Sequence, residues 1–127
     1  MERRKIMPEK QRQLWVVDDD ESVCRALKCL LGTYGFKVDT FLSGEKYFED
    51  IKDGQQGCLL LDIHMPGLDG WEVLKNILKT GIKRPVIVIS ADKNGGLEKK
   101  VLKAGAAGFF QKPVNDENLV ALINKVY

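Results

Sequence analysis

Cys58-Leu59-Leu60-Leu61-Asp62 is a run of four apolar residues that ends on a carboxylate. Two other short apolar runs have the same form, since Leu14–Val17 is followed by Asp18 and Val86–Ile89 is followed by Ser90. A strand that is apolar at every position must be covered on both faces, which is typical of a parallel sheet between two layers of helices. The three runs therefore predict the central strands of an α/β domain.

Two further strands and a set of helices follow from the remaining pattern. Lys37–Phe41 alternates and predicts a strand exposed on one side, while Phe109 and Phe110 lie in a fifth strand. Capping residues and glycines mark the ends of the helices, namely Ser43 and Asp69 at N-termini and Gly35 and Gly105 at C-termini. Apolar residues at helical spacing are Val23, Leu27, Leu30, Leu31 and Tyr34; Tyr47, Phe48 and Ile51; Val73, Leu74, Ile77 and Leu78; Leu97, Val101 and Leu102; and Leu119, Leu122, Ile123 and Val126.

The order of elements is strand then helix, five times over. With right-handed crossovers this predicts a doubly wound (βα)5 domain, a three-layer sandwich in which the parallel sheet has the flavodoxin-like order 2-1-3-4-5. In such sheets the ligand crevice lies beyond the carboxyl ends of the strands. We therefore expect the functional residues directly after the strands.

Composition excludes several classes of protein. The 127 residues are 44% hydrophobic and 30% charged, as expected for one globular domain. The sequence has neither a transmembrane run of about 18 apolar residues nor an apolar region typical of a secretory signal. Cys24, Cys29 and Cys58 are expected to be small buried residues in a reducing compartment, so the protein is predicted to be cytoplasmic.

The net charge of +2 is divided unevenly along the chain. Residues 1–12 hold five basic and two acidic side chains, and the remaining 115 residues hold 15 basic and 16 acidic ones. We predict a poorly ordered basic segment over 1–12 and a folded domain over 13–127. Because this domain is slightly acidic, we expect it to bind no nucleic acid by itself. The lack of a long apolar run also leads us to expect no membrane partner.

Polar groups follow four of the five predicted strands: Asp18 and Asp19, Asp62, Ser90 and Lys112. Two carboxylates about 4 Å apart repel by roughly 4 kcal/mol at an effective dielectric constant near 20. Three converging carboxylates therefore require a proton or a cation among them, and Lys112 offsets only part of the charge. An all-oxygen site favours Mg²⁺, and a carboxylate with Mg²⁺, a hydroxyl and an ammonium suits phosphoryl transfer to an aspartate.

Four motifs carry a resemblance to a known family. They are Val16-Val17-Asp18-Asp19-Asp20, Leu59-Leu60-Leu61-Asp62-Ile63-His64-Met65-Pro66-Gly67-Leu68-Asp69-Gly70, Val88-Ile89-Ser90-Ala91 and Gln111-Lys112-Pro113. Together and in this order they resemble the receiver domains of two-component response regulators, over roughly residues 13–127. The resemblance implies a phosphoacceptor that assists its own phosphorylation and dephosphorylation and is not a conventional turnover enzyme.

The resemblance implies a role for each acidic residue. Asp62 would accept the phosphoryl group from a sensor histidine kinase, a phosphotransfer protein or a small phosphodonor. Asp19 would bind Mg²⁺ or Mn²⁺ directly, together with Asp62 and the backbone carbonyl of His64, while Asp18 would hold the metal through water. The His64 side chain is expected to have no role.

The other site residues also take their roles from the resemblance. The Ser90 hydroxyl would move to the new phosphoryl group, and Lys112 would pair with one of its oxygens. Phe109 would turn inward as Ser90 moves, although an ordinary core position explains it almost as well. Pro113 would follow a cis peptide bond. The switch would reshape the surface of helix 4, strand 5 and helix 5, which would control an output domain, a partner protein or a homodimer.

Two other functions remain open at this point. A haloacid-dehalogenase-type phosphatase also uses an aspartate at a strand end, and Asp18-x-Asp20 resembles its motif, but Asp20 is better placed in the turn that opens the next helix. A receiver fold can also serve as an interaction module without phosphorylation. Both a protein that acts directly on a partner and the receiver part of a longer transcription regulator fit the sequence.

Overall fold

Five parallel strands form one sheet in the order β2-β1-β3-β4-β5. The computed structural model describes residues 11–65, 67, 69–93 and 95–127. The strands are β1 Gln13–Val17, β2 Lys37–Phe41, β3 Cys58–Asp62, β4 Val86–Ser90 and β5 Gly108–Gln111. The helices are α1 Glu21–Thr33, α2 Gly44–Asp50, α3 Gly70–Lys79, α4 Gly96–Ala104 and α5 Asp116–Val126. The predicted doubly wound fold and its sheet order are confirmed.

Each central strand is buried on both faces, as its uninterrupted apolar sequence predicts. Alternate side chains of β1 point to opposite layers, so that Trp15 and Val17 join α2, α3 and α4 while Leu14 and Val16 join α1 and α5. The strands β3 and β4 divide in the same way. Two apolar layers therefore hold the sheet, and its two carboxyl-end acids, Asp18 and Asp62, lie at one edge of it.

Local capping chemistry sets several helix boundaries. The Ser43 hydroxyl accepts a hydrogen bond from the Lys46 amide at 3.1 Å and caps α2. The Asp69 carboxylate accepts one from the Glu72 amide at 3.0 Å and caps α3. Gly105 follows α4 with φ of 116°, a left-handed conformation that glycine adopts without strain. These three boundary predictions are confirmed.

Several residues predicted to be buried are exposed instead. Cys29 is exposed, whereas Cys24 and Cys58 are buried, so the expectation of three buried cysteines is wrong for one of them. Cys29 lies two residues from both Leu27 and Leu31, which face the sheet, and side chains two apart on a helix point in nearly opposite directions. The exposed apolar positions of the predicted helical stripes are Tyr34, Leu78 and Leu102.

The predicted basic segment 1–12 falls almost entirely outside the described residues. Of its members, Gln11 and Arg12 are described, and the Arg12 guanidinium donates to the Asn124 side chain at 3.1 Å and lies over the Tyr127 ring. None of the described helices has the length and apolar character needed to cross a membrane.

A buried arginine at the opposite end of the sheet was not predicted. Arg84 is 7% exposed, and its guanidinium donates to the Tyr47 hydroxyl at 2.9 Å and to the Lys52 carbonyl at 3.1 Å. It also donates to the Gln55 carbonyl and lies 4.6 Å from the centre of the Trp15 ring. This contact network ties the segment between α2 and β3 to the sheet.

Replacing Arg84 with methionine is expected to lower the free energy of unfolding by about 2 kcal/mol, because three acceptors lose a charged donor. Methionine keeps an unbranched side chain of similar length, so most of the apolar packing is retained. Lys83→Met is the matched control, since Lys83 is adjacent and exposed. Urea denaturation of both variants measures the difference. Equal midpoints would show that the network contributes nothing.

Candidate functional site

Three carboxylates meet at the carboxyl edge of the sheet. β1 and β3 are hydrogen-bonded neighbours, so Asp18, directly after β1, and Asp62, the last residue of β3, lie side by side. Asp18 and Asp62 are buried, whereas Asp19 is exposed at the mouth of the crevice. One oxygen from each of the three carboxylates lies within 4.8 Å of the others. The structure thus brings together the acids that the sequence placed after separate strands.

Lys112 balances part of this negative charge. Its ammonium nitrogen lies 2.8 Å from Oδ2 of Asp18 and 4.0 Å from Oδ2 of Asp62. Lys112 reaches the site because its amide donates to the Ser90 carbonyl at 2.8 Å, which carries the chain across the end of β4. The Lys112–Pro113 peptide bond is cis.

The environment of Asp62 opposes ionisation of its carboxyl group. Burial is the largest cause, the negative charge of Asp18 adds to it, and together they raise the pKa of Asp62 to about 6 although Lys112 works in the opposite direction. The His64 amide donates to Oδ1 of Asp62 at 3.3 Å, which also favours the ionised form. Asp62 is therefore mostly ionised at pH 7, although its surroundings disfavour the ionised carboxylate relative to the protonated form.

The same acidic cluster also raises the pKa of Lys112. Burial acts to lower it, but the hydrogen bond to Asp18 and the charges of Asp18 and Asp62 outweigh burial and raise it. The ammonium is thus fully charged at neutral pH. The cluster combines a fixed positive charge with three acids, and the excess of negative charge is what a cation would neutralise.

The chemistry of the donors suits a hard divalent cation. All three side chains offer carboxylate oxygens, and oxygen ligands in small number are typical of Mg²⁺ in proteins. These three acids could therefore hold a metal ion. Asp20, next to them, is used differently, since its side chain accepts from the amides of Ser22 and Val23 and caps α1.

The remaining predicted residues surround this cluster. Ser90 is fully buried at the end of β4, and its hydroxyl oxygen accepts a hydrogen bond from the Asp92 amide at 3.0 Å. Phe109 lies on β5 opposite Val88 and is half-buried against the layer formed by α2, α3 and α4. His64 is exposed, and its ring nitrogen Nε2 lies 3.1 Å from Oδ2 of Asp92.

Sequence reasoning missed two residues at this edge. Asp92 contacts both Ser90 and His64, but one aspartate in a loop has no distinguishing signal in a single sequence. Gly70 packs so closely on the end of β3 that a Cβ there would lie 2.4 Å from the Asp62 carbonyl oxygen and from the Cα of Ile63. The sequence predicts that Asp69-Gly70 begins a helix, but it does not show that the backbone at the end of β3 also requires a glycine at position 70.

An apolar groove opens beside the acidic cluster. It is a cavity of about 470 Å³ between α1 and the segment after β5. Its lining consists of Val23, Ala26, Leu27, Leu30, Ile89, Lys112, Pro113 and Val114. Because Lys112 belongs both to the groove and to the cluster, a molecule bound in the groove would lie next to the acids.

The doubly wound parallel sheet, with clustered acids and a lysine at its carboxyl edge, places the chain in the flavodoxin-like fold class. The family model of the response regulator receiver domain matches residues 14–124, and the chain belongs to this family. The predicted resemblance is confirmed. Domains of this family are signalling domains of two-component systems, not conventional turnover enzymes.

Individual relatives agree with this assignment. The chain is 34% identical over 120 residues to the response regulator protein TmoT of Ectopseudomonas mendocina, a match that covers 94% of this chain and 54% of TmoT. It is 32% identical over 110 residues to the transcriptional regulatory protein FixJ of Bradyrhizobium diazoefficiens, covering 87% of this chain and 54% of FixJ. The crystal structure of FixJ-N superimposes with a TM-score of 0.83 at 31% identity, covering 92% of this chain and 94% of that one. The chain spans about half the length of the curated relatives it matches.

Proposed function

We propose that this domain accepts a phosphoryl group on Asp62 from a phosphohistidine of a sensor histidine kinase or of a phosphotransfer protein. The observation that carries the proposal is the position of Asp62. It is a carboxylate at the end of a buried strand, with a lysine ammonium 4.0 Å away and two further acids around it. Membership of the receiver family supports the same assignment.

The proposed transfer forms one bond and breaks one. A carboxylate oxygen of Asp62 attacks the phosphorus atom, the bond from phosphorus to the imidazole nitrogen breaks, and the imidazole leaves with the electron pair while Asp62 becomes an acyl phosphate. Asp62 can act in this way because it is mostly ionised at pH 7 and its charge is poorly solvated. Lys112 would bind an oxygen of the transferred group, exchanging its bond to Asp18 for a stronger electrostatic partner.

Mg²⁺, or Mn²⁺ in its place, fits the donors of this site. We propose that Asp19, Asp62 and the His64 carbonyl bind the ion directly and that Asp18 binds it through water. When bound, the ion supplies positive charge to the carboxylates and to the oxygens of the transferred group. Lys112 pairs closely with Asp18 and lies 4.0 Å from Asp62, so the three acids need this additional positive charge.

The groove between α1 and the Lys112–Val114 segment is the proposed surface for the phosphodonor. Its lining is mainly aliphatic, and it ends at Lys112 beside Asp62. An amphipathic helix of the donor protein could place its apolar face there, which would bring a histidine on that helix to the acidic edge.

Phosphorylation is proposed to act through Ser90. The added group carries a charge of about −1.5 to −2, and it would attract the Ser90 hydroxyl away from the Asp92 amide that now donates to it. The position of Phe109 on the neighbouring strand β5 would allow it to respond, and the surface of α4, β5 and α5 would change. That surface would then control an output domain, a partner protein or a homodimer.

The test is incorporation of phosphate from acetyl phosphate in the presence of Mg²⁺, followed by intact-protein mass spectrometry. The wild type is expected to gain one phosphoryl group that base or hydroxylamine removes, as expected for an acyl phosphate, and Asp62→Asn is expected to gain none. Asp50→Asn, an exposed acid on α2, is the matched control and should behave as the wild type. Incorporation by Asp62→Asn at the wild-type rate would refute the proposal, as would sustained hydrolysis of a simple phosphomonoester.

A further inference from the structure

The side chain of His64 bridges two loops across the mouth of the site. His64 follows β3 and Asp92 follows β4, and Nε2 of the imidazole lies 3.1 Å from Oδ2 of the carboxylate. The side chains are 57% and 34% exposed, so both remain accessible to solvent. This contact gives the His64 side chain a partner, whereas the sequence led us to expect a role for its backbone carbonyl alone.

Asp92 also contacts the ends of two strands. Its amide donates to the Ser90 hydroxyl oxygen at 3.0 Å, and its carbonyl accepts from the Gln111 side chain at 3.4 Å. A shift of Asp92 therefore affects Ser90, and a shift of Ser90 affects Asp92. The imidazole of His64 makes a third contact with this loop, through the Asp92 carboxylate.

We propose that His64 and Asp92 form a latch, a pair of positioning residues that holds the loop after β4 in the arrangement where the Asp92 amide engages Ser90. Rotation of the Ser90 side chain toward Asp62 would take its oxygen away from that amide. The amide would then lose its partner unless the loop moved, and movement of the loop stretches the His64–Asp92 bond. The latch thus opposes the motion of Ser90 and sets how readily its hydroxyl turns from the Asp92 amide toward Asp62.

The latch does not depend on the charge of His64. A neutral imidazole with its proton on Nε2 donates to the Asp92 carboxylate, and so does the imidazolium ion. The His64–Asp92 contact can hold the loop after β4 whether or not Asp62 is phosphorylated, whereas the effect of the latch on phosphorylation rests on the proposed function. The two parts therefore need separate measurements.

Hydrogen exchange of the Asp92 amide, followed by nuclear magnetic resonance, tests the structural part. His64→Ala is expected to speed exchange by about two- to five-fold, the range that corresponds to a solvent-exposed pair. His64→Gln keeps a side-chain donor and should restore part of the protection. Lys46→Ala removes an ion pair with Asp50 of comparable exposure on α2 and should leave the Asp92 amide unchanged. Unchanged protection in His64→Ala would overturn the latch.

A double-mutant cycle tests the functional part. His64→Ala and Asp92→Ala are each expected to speed phosphorylation of Asp62 by acetyl phosphate about two- to five-fold, and the double variant should be no faster than the faster single one. Effects that multiply would mean that the two residues act independently, which would overturn the latch. If the wild type takes no phosphate, the proposed function fails while the exchange experiment still decides whether the latch exists.

Discussion

The Asp62→Asn protein is expected to be more stable than the wild type in metal-free buffer at pH 8, by about 2 kcal/mol and about 5–10 °C in melting temperature. Burial, and then the charge of Asp18, raises the pKa of Asp62 to about 6, above its ordinary value of 3.8. Folding therefore disfavours the ionised carboxylate. Asparagine has the same shape, keeps an oxygen for the His64 amide and removes the charge that folding opposes.

The sign of the pH dependence follows from the raised pKa. The native state binds the Asp62 proton more tightly than the unfolded state does, so this residue lowers stability as pH rises from about 4 to about 7. Well below pH 3.8 the carboxyl is protonated in both states, and the difference between the wild type and Asp62→Asn should be small already at pH 4. The measurement is the difference in unfolding free energy between the two proteins from pH 4 to pH 8.

Magnesium provides the control for this prediction. Mg²⁺ should raise the melting temperature of the wild type and have a smaller effect on Asp62→Asn, because one proposed ligand is missing. Equal or lower stability of Asp62→Asn at pH 8 without metal would contradict the electrostatic account of the cluster. Such a result would mean that Lys112 and the local amide dipoles already compensate the three acids.

Gly70→Ala is expected to lower the unfolding free energy by about 3 kcal/mol and to weaken Mg²⁺ binding at the same time. The added Cβ would lie 2.4 Å from the Asp62 carbonyl oxygen and from the Cα of Ile63, and both are backbone atoms. No side-chain rotation can relieve these contacts. The start of α3 must move away from the end of β3, which displaces the backbone that carries Asp62.

Gly32→Ala is the matched control for this substitution. Gly32 also lies in a helix, and a Cβ there meets nothing within 4 Å. Alanine favours the helix by about 0.5–1 kcal/mol over glycine, so this variant should be equal to the wild type or slightly more stable. Thermal unfolding with and without Mg²⁺ compares the two variants. A Gly70→Ala protein with wild-type stability and metal response would show that the loop accommodates the methyl group freely.

The order of elements and the acidic edge could be predicted because each depends on residues that are close in sequence. An uninterrupted apolar run such as Leu59–Leu61 indicates burial on both faces, and this implies helices on both sides of a parallel sheet. In that sheet all strands end at the same edge. Asp18 and Asp62, 44 positions apart in the chain, were therefore expected to meet, and they do.

Burial of individual side chains on helices was less predictable. Helical spacing predicts that Leu78 and Leu102 lie on the apolar faces of α3 and α4, but each directly follows a buried residue and is exposed. Helical periodicity identifies which positions share a face, but the width of the buried face depends on the neighbouring helices. Only packing between α3, α4 and the sheet could decide these positions.

The sequence by itself determined the succession of strands and helices, the set of carboxylates and the lysine beside them, because these follow from local patterns, and the known chirality of parallel crossovers then leads to the fold. The tertiary structure alone decided which partners the polar groups contact. Lys112 pairs more closely with Asp18 than with Asp62, Arg84 donates to the Tyr47 hydroxyl and to the Lys52 and Gln55 carbonyls, and His64 contacts Asp92. It also showed that Gly70 is required by the backbone of β3. The physical reason is that hydrogen bonds and steric contacts act over a few ångströms, and those distances are fixed only when separate strands and loops pack together.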